Sequence, residues 1–353
     1  MTEYFVHDTY PQRIAFGRGA IRWLSKETAK LGVHRLCLIS SAGQSAPAKA
    51  AAALHNAVVG HFAGAESHVP IEIAQACVDE VHRLDADATL CVGGGATIGL
   101  GKIVARELNL PQVAIPTTYS GSEMTPVWGL TEDGVKHTAR DHKVLPRVVI
   151  YDPELTKSLP PGVSAVSGIN AIAHAVEAMY AADANPMTSL MASESVRALA
   201  GGLPAVMAEP FSVDARERAL FGSWLAGAAL AATSMGLHHI ICHVLGGAFN
   251  LPHASTHTVV LPHTAAYNHA AAPQAMTRIA EALGAASAPQ GLYELIGTLG
   301  APKSLQELGL PAAALDSVAA TVAEQEYANP APVTAEGVRT LLENAWHGRP
   351  LAA

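Results

Sequence analysis

Charged residues are scarce in this chain: they make up 15% of 353 residues, against 50% hydrophobic. No basic block occurs, and 30 acidic against 22 basic residues leave a net charge of −8. That sign and the lack of a basic patch argue against a nucleic-acid partner. Cysteine is sparse too. Cys37, Cys77, Cys91 and Cys242 follow no regular spacing, which suggests reduced thiols in a cytoplasmic protein. No apolar run reaches membrane length. The longest, Trp224 to Leu237, carries Gly, Thr and Ser and falls short of the roughly 20 residues a spanning helix needs. The opening residues lack the basic-then-apolar order of an export signal, so none is expected. Internal repeats are absent. What remains is a compact cytoplasmic protein with no membrane segment, long enough for two domains.

The first 150 residues alternate short β-branched runs with helical patterns. Arg35 to Ile39, Ala88 to Val92, Gln112 to Ile115 and Arg147 to Tyr151 read as strands, and Pro47 to Asn56 and Ala74 to Leu84 as helices. That alternation predicts a parallel sheet covered on both faces. After Asp152-Pro153, Ala, Leu, Met and Glu dominate and helical spacing runs to the end. The expected fold is therefore a Rossmann-like α/β domain over 1–155 and an all-helical domain over 156–353. Gly284 to Gly291 reads as a loop between helices, and Tyr4 to Ile14 as a strand able to pair across a dimer.

Two small-residue segments sit where strands end. Ala88 to Val92 runs into Gly93-Gly94-Gly95-Ala96-Thr97 and then a helical pattern. Glycines there let a backbone approach a pyrophosphate, and the helix start offers free N–H groups. Gln112 to Ile115 ends in Pro116-Thr117-Thr118-Tyr119-Ser120-Gly121-Ser122-Glu123, at the same carboxyl edge. One glycine triplet alone is weak evidence, but two such loops on one edge point to a nucleotide.

The run His238-His239-Ile240-Ile241-Cys242-His243, with His253 ten residues on, is the most informative stretch. A helix puts His239 and His243 one turn apart, as it does Asn170 and His174. Buried imidazoles without partners are costly, so such a cluster marks a site. His238 and His257 read as surface or loop residues without a role, and His263 as structural at a helix start.

Together these segments resemble the iron-containing alcohol dehydrogenase superfamily. The resemblance rests on Gly93 to Ala96, Pro116 to Glu123 and Gly236 to His253, and covers nearly the whole chain. Gly95 to Lys102, Ser122 to Thr131 and Ser167 to His174 are most similar to its maleylacetate reductase branch. The resemblance implies reduction by NADH or NADPH of the carbon–carbon double bond of maleylacetate, a small dicarboxylate, giving 3-oxoadipate in aromatic breakdown. It also implies a homodimer. Metal-dependent alcohol or aldehyde dehydrogenation is the alternative within the superfamily. There an Asp and three His hold the ion, at positions that correspond to Asn170, His174, His239 and His253. Asn170 offers a neutral oxygen in place of a carboxylate, which weakens a divalent site, so no metal is expected. The resemblance assigns cofactor contacts to Ser41, Gly93, Gly94, Gly95, Thr117, Thr118, Ser122, Thr125 and Lys136. His243, His253, His239 and His174 are the expected catalytic groups. Asn170, Lys102 and Arg140 are the expected substrate contacts, the two cations being the nearest candidates for carboxylates.

Overall fold

The computed structural model describes residues 4–350 apart from 54 and 134, with 44–46 described in backbone only. The chain forms two compact units, Thr9–Leu159 and Pro160–Ala353, the latter grouped with Met1–Asp8.

The first unit runs β1 (Arg13–Phe16), α1 (Leu24–Lys30), β2 (Leu36–Ile39), α2 (Ser45–Ala53), β3 (Val58–Phe62), α3 (Ile71–Arg83), β4 (Ala88–Gly93), α4 (Gly95–Leu108), β5 (Gln112–Pro116), β6 (Val127–Glu132), β7 (Val135–Arg140) and β8 (Val148–Tyr151). Six strands form one sheet in the order β1-β8-β5-β4-β2-β3, every pair parallel. Strands β2, β4, β5 and β8 are buried at every residue, which is why they read as continuous apolar runs without alternation. The chain leaves β2 toward β3 on one side, then crosses back to β4 on the other. The carboxyl ends of β2 and β4 therefore flank the point where strand order reverses, the place at which open α/β sheets take a ligand.

Helix α1 was not read from the sequence, and the strands were read incompletely. The predicted strand over Tyr4 to Ile14 is irregular until Arg13, and β1 pairs in parallel with β8 inside its own unit. Strand β3 is an edge, and its half-buried residues carry no clear pattern. In the antiparallel hairpin β6–β7, β6 is mostly half-buried and β7 mostly exposed, so no continuous core face marks it. Helix α2 starts two residues before the prediction and ends at Ala53; Leu54, inside the predicted span, lies outside the described residues.

The second unit is helical: α5 (Pro161–Tyr180), α6 (Pro186–Ala208), α7 (Val213–Ala231), α8 (Leu237–Phe249), α9 (His253–Asn268), α10 (Pro273–Leu283), α11 (Ala288–Thr298), α12 (Leu315–Ala323) and α13 (Ala335–His347). Small residues set the spacing of α6 and α7: a Cβ on Gly202 would stand 2.9 Å from the Ala219 backbone nitrogen. A capping box starts α6, where the Asn185 side chain accepts from Met187 N and Thr188 N while Thr188 Oγ1 receives Asn185 N–H at 2.9 Å. The stretch read as a loop over Gly284 to Gly291 is shorter, because Ser287 begins α11 with Pro289 in its first turn. No helix among the described residues is long and apolar enough to cross a membrane.

Candidate active site

The sheet edge of the first unit is built by glycine. Gly93 closes β4, and Gly94 precedes α4, whose start has no side-chain cap. Thr117 N donates to Gly93 O at 3.0 Å, bringing the loop after β5 onto this turn. A Cβ on Gly94 would lie 2.7 Å from Thr118 Cγ2, so only a glycine lets the two loops meet. Deeper in α4, a Cβ on Gly101 would strike Cys91 Sγ and lie 2.7 Å from Gln112 Nε2; its absence seats the helix on the sheet. Uncapped amides at a helix start beside a bare backbone fit a pyrophosphate. Ser41 follows β2 on the same edge and is half-buried. Ser120, not singled out from sequence, has a buried Oγ without a partner among the described residues beside the Gly95 turn.

Two groups of expected site residues are engaged within the unit. Lys102 is fully buried, and its Nζ donates to Ser122 O (2.7 Å), Val127 O (2.7 Å), Thr125 Oγ1 (3.0 Å) and Ser122 Oγ (3.3 Å). An ammonium has three protons, so none is left for a substrate carboxylate, and Lys102 is not the clamp the sequence suggested. Burial lowers its pKa to about 7, with Glu123 opposing. Thr125, buried, accepts from Lys102 and donates to Ser122 O at 3.2 Å; its hydroxyl is occupied by the loop rather than open to a cofactor. Ser122 Oγ takes a bond from the same ammonium. Arg140 and Lys136 lie on the hairpin strand β7, Arg140 exposed and Lys136 half-buried. The hairpin is held to α4 by the Arg106 guanidinium, 4.0 Å over the Trp128 ring.

In the helical unit six imidazoles gather: His174 on α5, His238, His239 and His243 on α8, and His253 and His257 on α9. His174 stacks on His239 at 5.2 Å between centroids, His239 and His257 stand 5.0 Å apart, His253 and His257 4.4 Å, and His239 and His243 6.2 Å. His238 and His257, read from sequence as surface or loop residues, are completely buried and belong to the cluster. His263, expected at a helix start, lies inside α9, buried, with neither ring nitrogen hydrogen-bonded among the described residues.

Glu177 completes the arrangement. It sits one turn after His174 on α5; one carboxylate oxygen accepts His239 Nδ1–H and the other His238 N at 2.9 Å. Burial alone would raise this carboxyl, but the His239 and His238 imidazoles and the surrounding hydrogen bonds hold it below the usual range. The carboxylate thereby fixes the ring of His239 with Nε2 turned away. Sequence reading missed Glu177, although a lone acid three residues after His174 in an apolar helix was the available signal. Burial, reinforced by His239, His253, His238 and His243, keeps His174 well below its ordinary pKa and hence neutral. Asn170 Oδ1, His174 Nδ1, His239 Nε2 and His257 Nε2 are all buried without a hydrogen-bond partner among the described residues. Buried polar atoms without partners are costly, which makes this cluster a candidate binding site.

This pairing of an α/β unit and a helical unit defines a family. Residues 11–153 match the family described as iron-containing alcohol dehydrogenase, and residues 164–346 its C-terminal part; the chain belongs to the iron-containing alcohol dehydrogenase family. It is 50% identical over 345 residues to a maleylacetate reductase of Burkholderia cepacia, covering 98% of both chains. It is 49% identical to that of Sphingobium indicum, again over 98% of each. Among solved structures, the maleylacetate reductase of a Rhizobium species superposes with a TM-score of 0.94 at 45% identity, covering 99% of this chain and 100% of the other.

The family name implies an ion, and where the resemblance places its anionic ligand this chain has the neutral Asn170. Among the described residues, only His238, Cys242 and His257 bring three ligand atoms of His, Cys, Asp or Glu within 4.8 Å of one another. His174, His239 and His253 do not close as a trio, and Asn170 brings no charge.

Proposed function

We propose that this chain is a maleylacetate reductase that uses NADH or NADPH and needs no metal. The carrying observation is end-to-end identity of up to 50% to maleylacetate reductases in a chain with Asn170 where the resemblance places the anionic ligand. When bound, the nicotinamide supplies a hydride. The uncapped start of α4 and the Gly93–Gly95 turn hold the pyrophosphate, with Thr117, Thr118 and Ser120 beside it. Ser41 and Lys136 are the remaining cofactor contacts in this reading.

Maleylacetate carries a ketone conjugated to its double bond. Charge therefore builds on the ketone oxygen during reduction, and preorganised donors near that oxygen supply the largest catalytic effect. The imidazole cluster is suited to this: Glu177 backs His239 as a carboxylate partner, and His243, His253 and His174 surround it. Asn170 and Arg140 are assigned to the substrate's polar ends. The enzyme is read as a cytoplasmic homodimer.

The deciding assay follows NADH loss with maleylacetate against simple aldehydes, with and without a chelator. Turnover of maleylacetate insensitive to chelator is expected. Aldehyde turnover that a chelator abolishes and ferrous or zinc ions restore would overturn the proposal. Within that assay, His243→Ala should cut turnover about 100-fold or more while NADH still binds; unchanged turnover would remove His243 from the chemistry.

A further inference from the structure

His238 and His257 stand outside the ligand positions of the family, yet both are fully buried and joined to each other. The direction of each bond in their chain follows from its far end. Thr264 Oγ1 lies 2.9 Å from Leu261 O and 3.3 Å from Val260 O. Carbonyls only accept, so the single hydroxyl proton is committed to helix α9 itself. Standing 3.2 Å from His238 Nδ1, the hydroxyl must accept there, and His238 carries its proton on Nδ1. Its Nε2 is then a lone pair, 2.8 Å from His257 Nδ1, which must donate. The Cys242 thiol, 3.9 Å from the same His238 nitrogen, is also a donor and leaves that direction unchanged. His257 is thereby left with its proton on Nδ1 and a bare lone pair on Nε2. That nitrogen is buried and has no partner among the described residues. Burial keeps His238 and His257 neutral, in keeping with one proton on each ring.

We infer that Thr264 and His238 are a tautomer lock that makes His257 Nε2 a fixed hydrogen-bond acceptor for an O–H group formed on the substrate. This rests on the proposed reductase reading. Maleylacetate, with a ketone and two ionised carboxylates, has no O–H to offer. One forms during conjugate reduction: a hydride adds at C2, the C2=C3 pair becomes C3=C4, and the carbonyl pair moves to oxygen, which takes a proton. The resulting enol O–H matches the bare lone pair. As the carbonyl re-forms, C3 gains a proton and the oxygen releases one, so the balance is one hydride and one proton added. His257 contacts the substrate only after hydride transfer; His238 and Thr264 are positioning residues.

Ring-nitrogen NMR of the full-length protein carrying 15N-histidine reads tautomers directly, with His238→Gln and His257→Gln assigning the two signals. Both rings are expected with the proton on Nδ1; a proton on His257 Nε2 in the native protein overturns the lock. Thr264→Val should free the His257 tautomer and lower kcat about 10-fold or more, with KM for NADH and for maleylacetate little changed. Thr264→Ser, which keeps the acceptor, should restore both. Native kcat in Thr264→Val overturns the inference. A raised KM for maleylacetate at native kcat overturns the enol assignment, because it places the contact in the ground state. A chain without activity on maleylacetate would defeat the reductase reading, yet the NMR would still decide the lock.

Discussion

At the residue scale, the histidine cluster is governed by what backs each ring. Glu177→Gln preserves an acceptor for His238 N but replaces the anion facing His239 Nδ1. Loss of such an outer partner typically costs about 10–100-fold in activity, so kcat should fall by that order with KM for NADH unchanged. Steady-state kinetics checks this, and equal activity would mean that His239 needs no carboxylate. Ser41→Asp places a negative charge after β2 and should depress NADPH use far more than NADH use, because it repels a 2′-phosphate. Parallel loss with both cofactors would move Ser41 away from the ribose. His238, His257 and Glu177 show why residue roles were incompletely read: spacing gives the face of a helix, but not which neighbouring helix covers it.

At the element scale, the ligand edge depends on one helix and two loops. Lys102 on α4 holds Ser122, Thr125 and the start of β6 through four contacts. Lys102→Met leaves buried carbonyls unpaired at about 1–3 kcal/mol each. It should therefore lower the melting temperature and raise KM for NADH about 10-fold, with KM for maleylacetate unchanged. A selective rise in KM for maleylacetate would restore Lys102 to the substrate. The strands β2, β4, β5 and β8 and the glycine turn were legible because burial on both faces writes itself as unbroken apolar runs. The hairpin β6–β7 and the edge strand β3 were not, since half-buried or exposed residues leave composition largely unconstrained.

At the scale of the whole molecule, stability is tied to buried neutral imidazoles. Burial lowers the His263 pKa to about 4, whereas the unfolded ring titrates near 6.5. Between those values the unfolded chain binds the extra proton, so stability is complete above about pH 6.5 and falls as pH drops toward 4, by roughly 1.4 kcal/mol per pH unit for this ring. His238, lowered to about 3 by burial with His239 adding to it, acts in the same direction. Melting temperature should fall on acidification from pH 7 to 5, and His263→Leu should flatten that slope. A slope identical to that of the native chain would show that His263 is not neutral when folded.

The sequence by itself determined the two-part architecture, the glycine turn and the helices that carry Asn170, His174 and His239, because these follow from local periodicity and from glycine at a strand end. Tertiary structure alone decided that Lys102 turns inward, that His238 and His257 are buried, and that Glu177 meets His239 across 62 residues. The physical reason is that a side chain's partners depend on packing between helices, which residues far apart in sequence fix together.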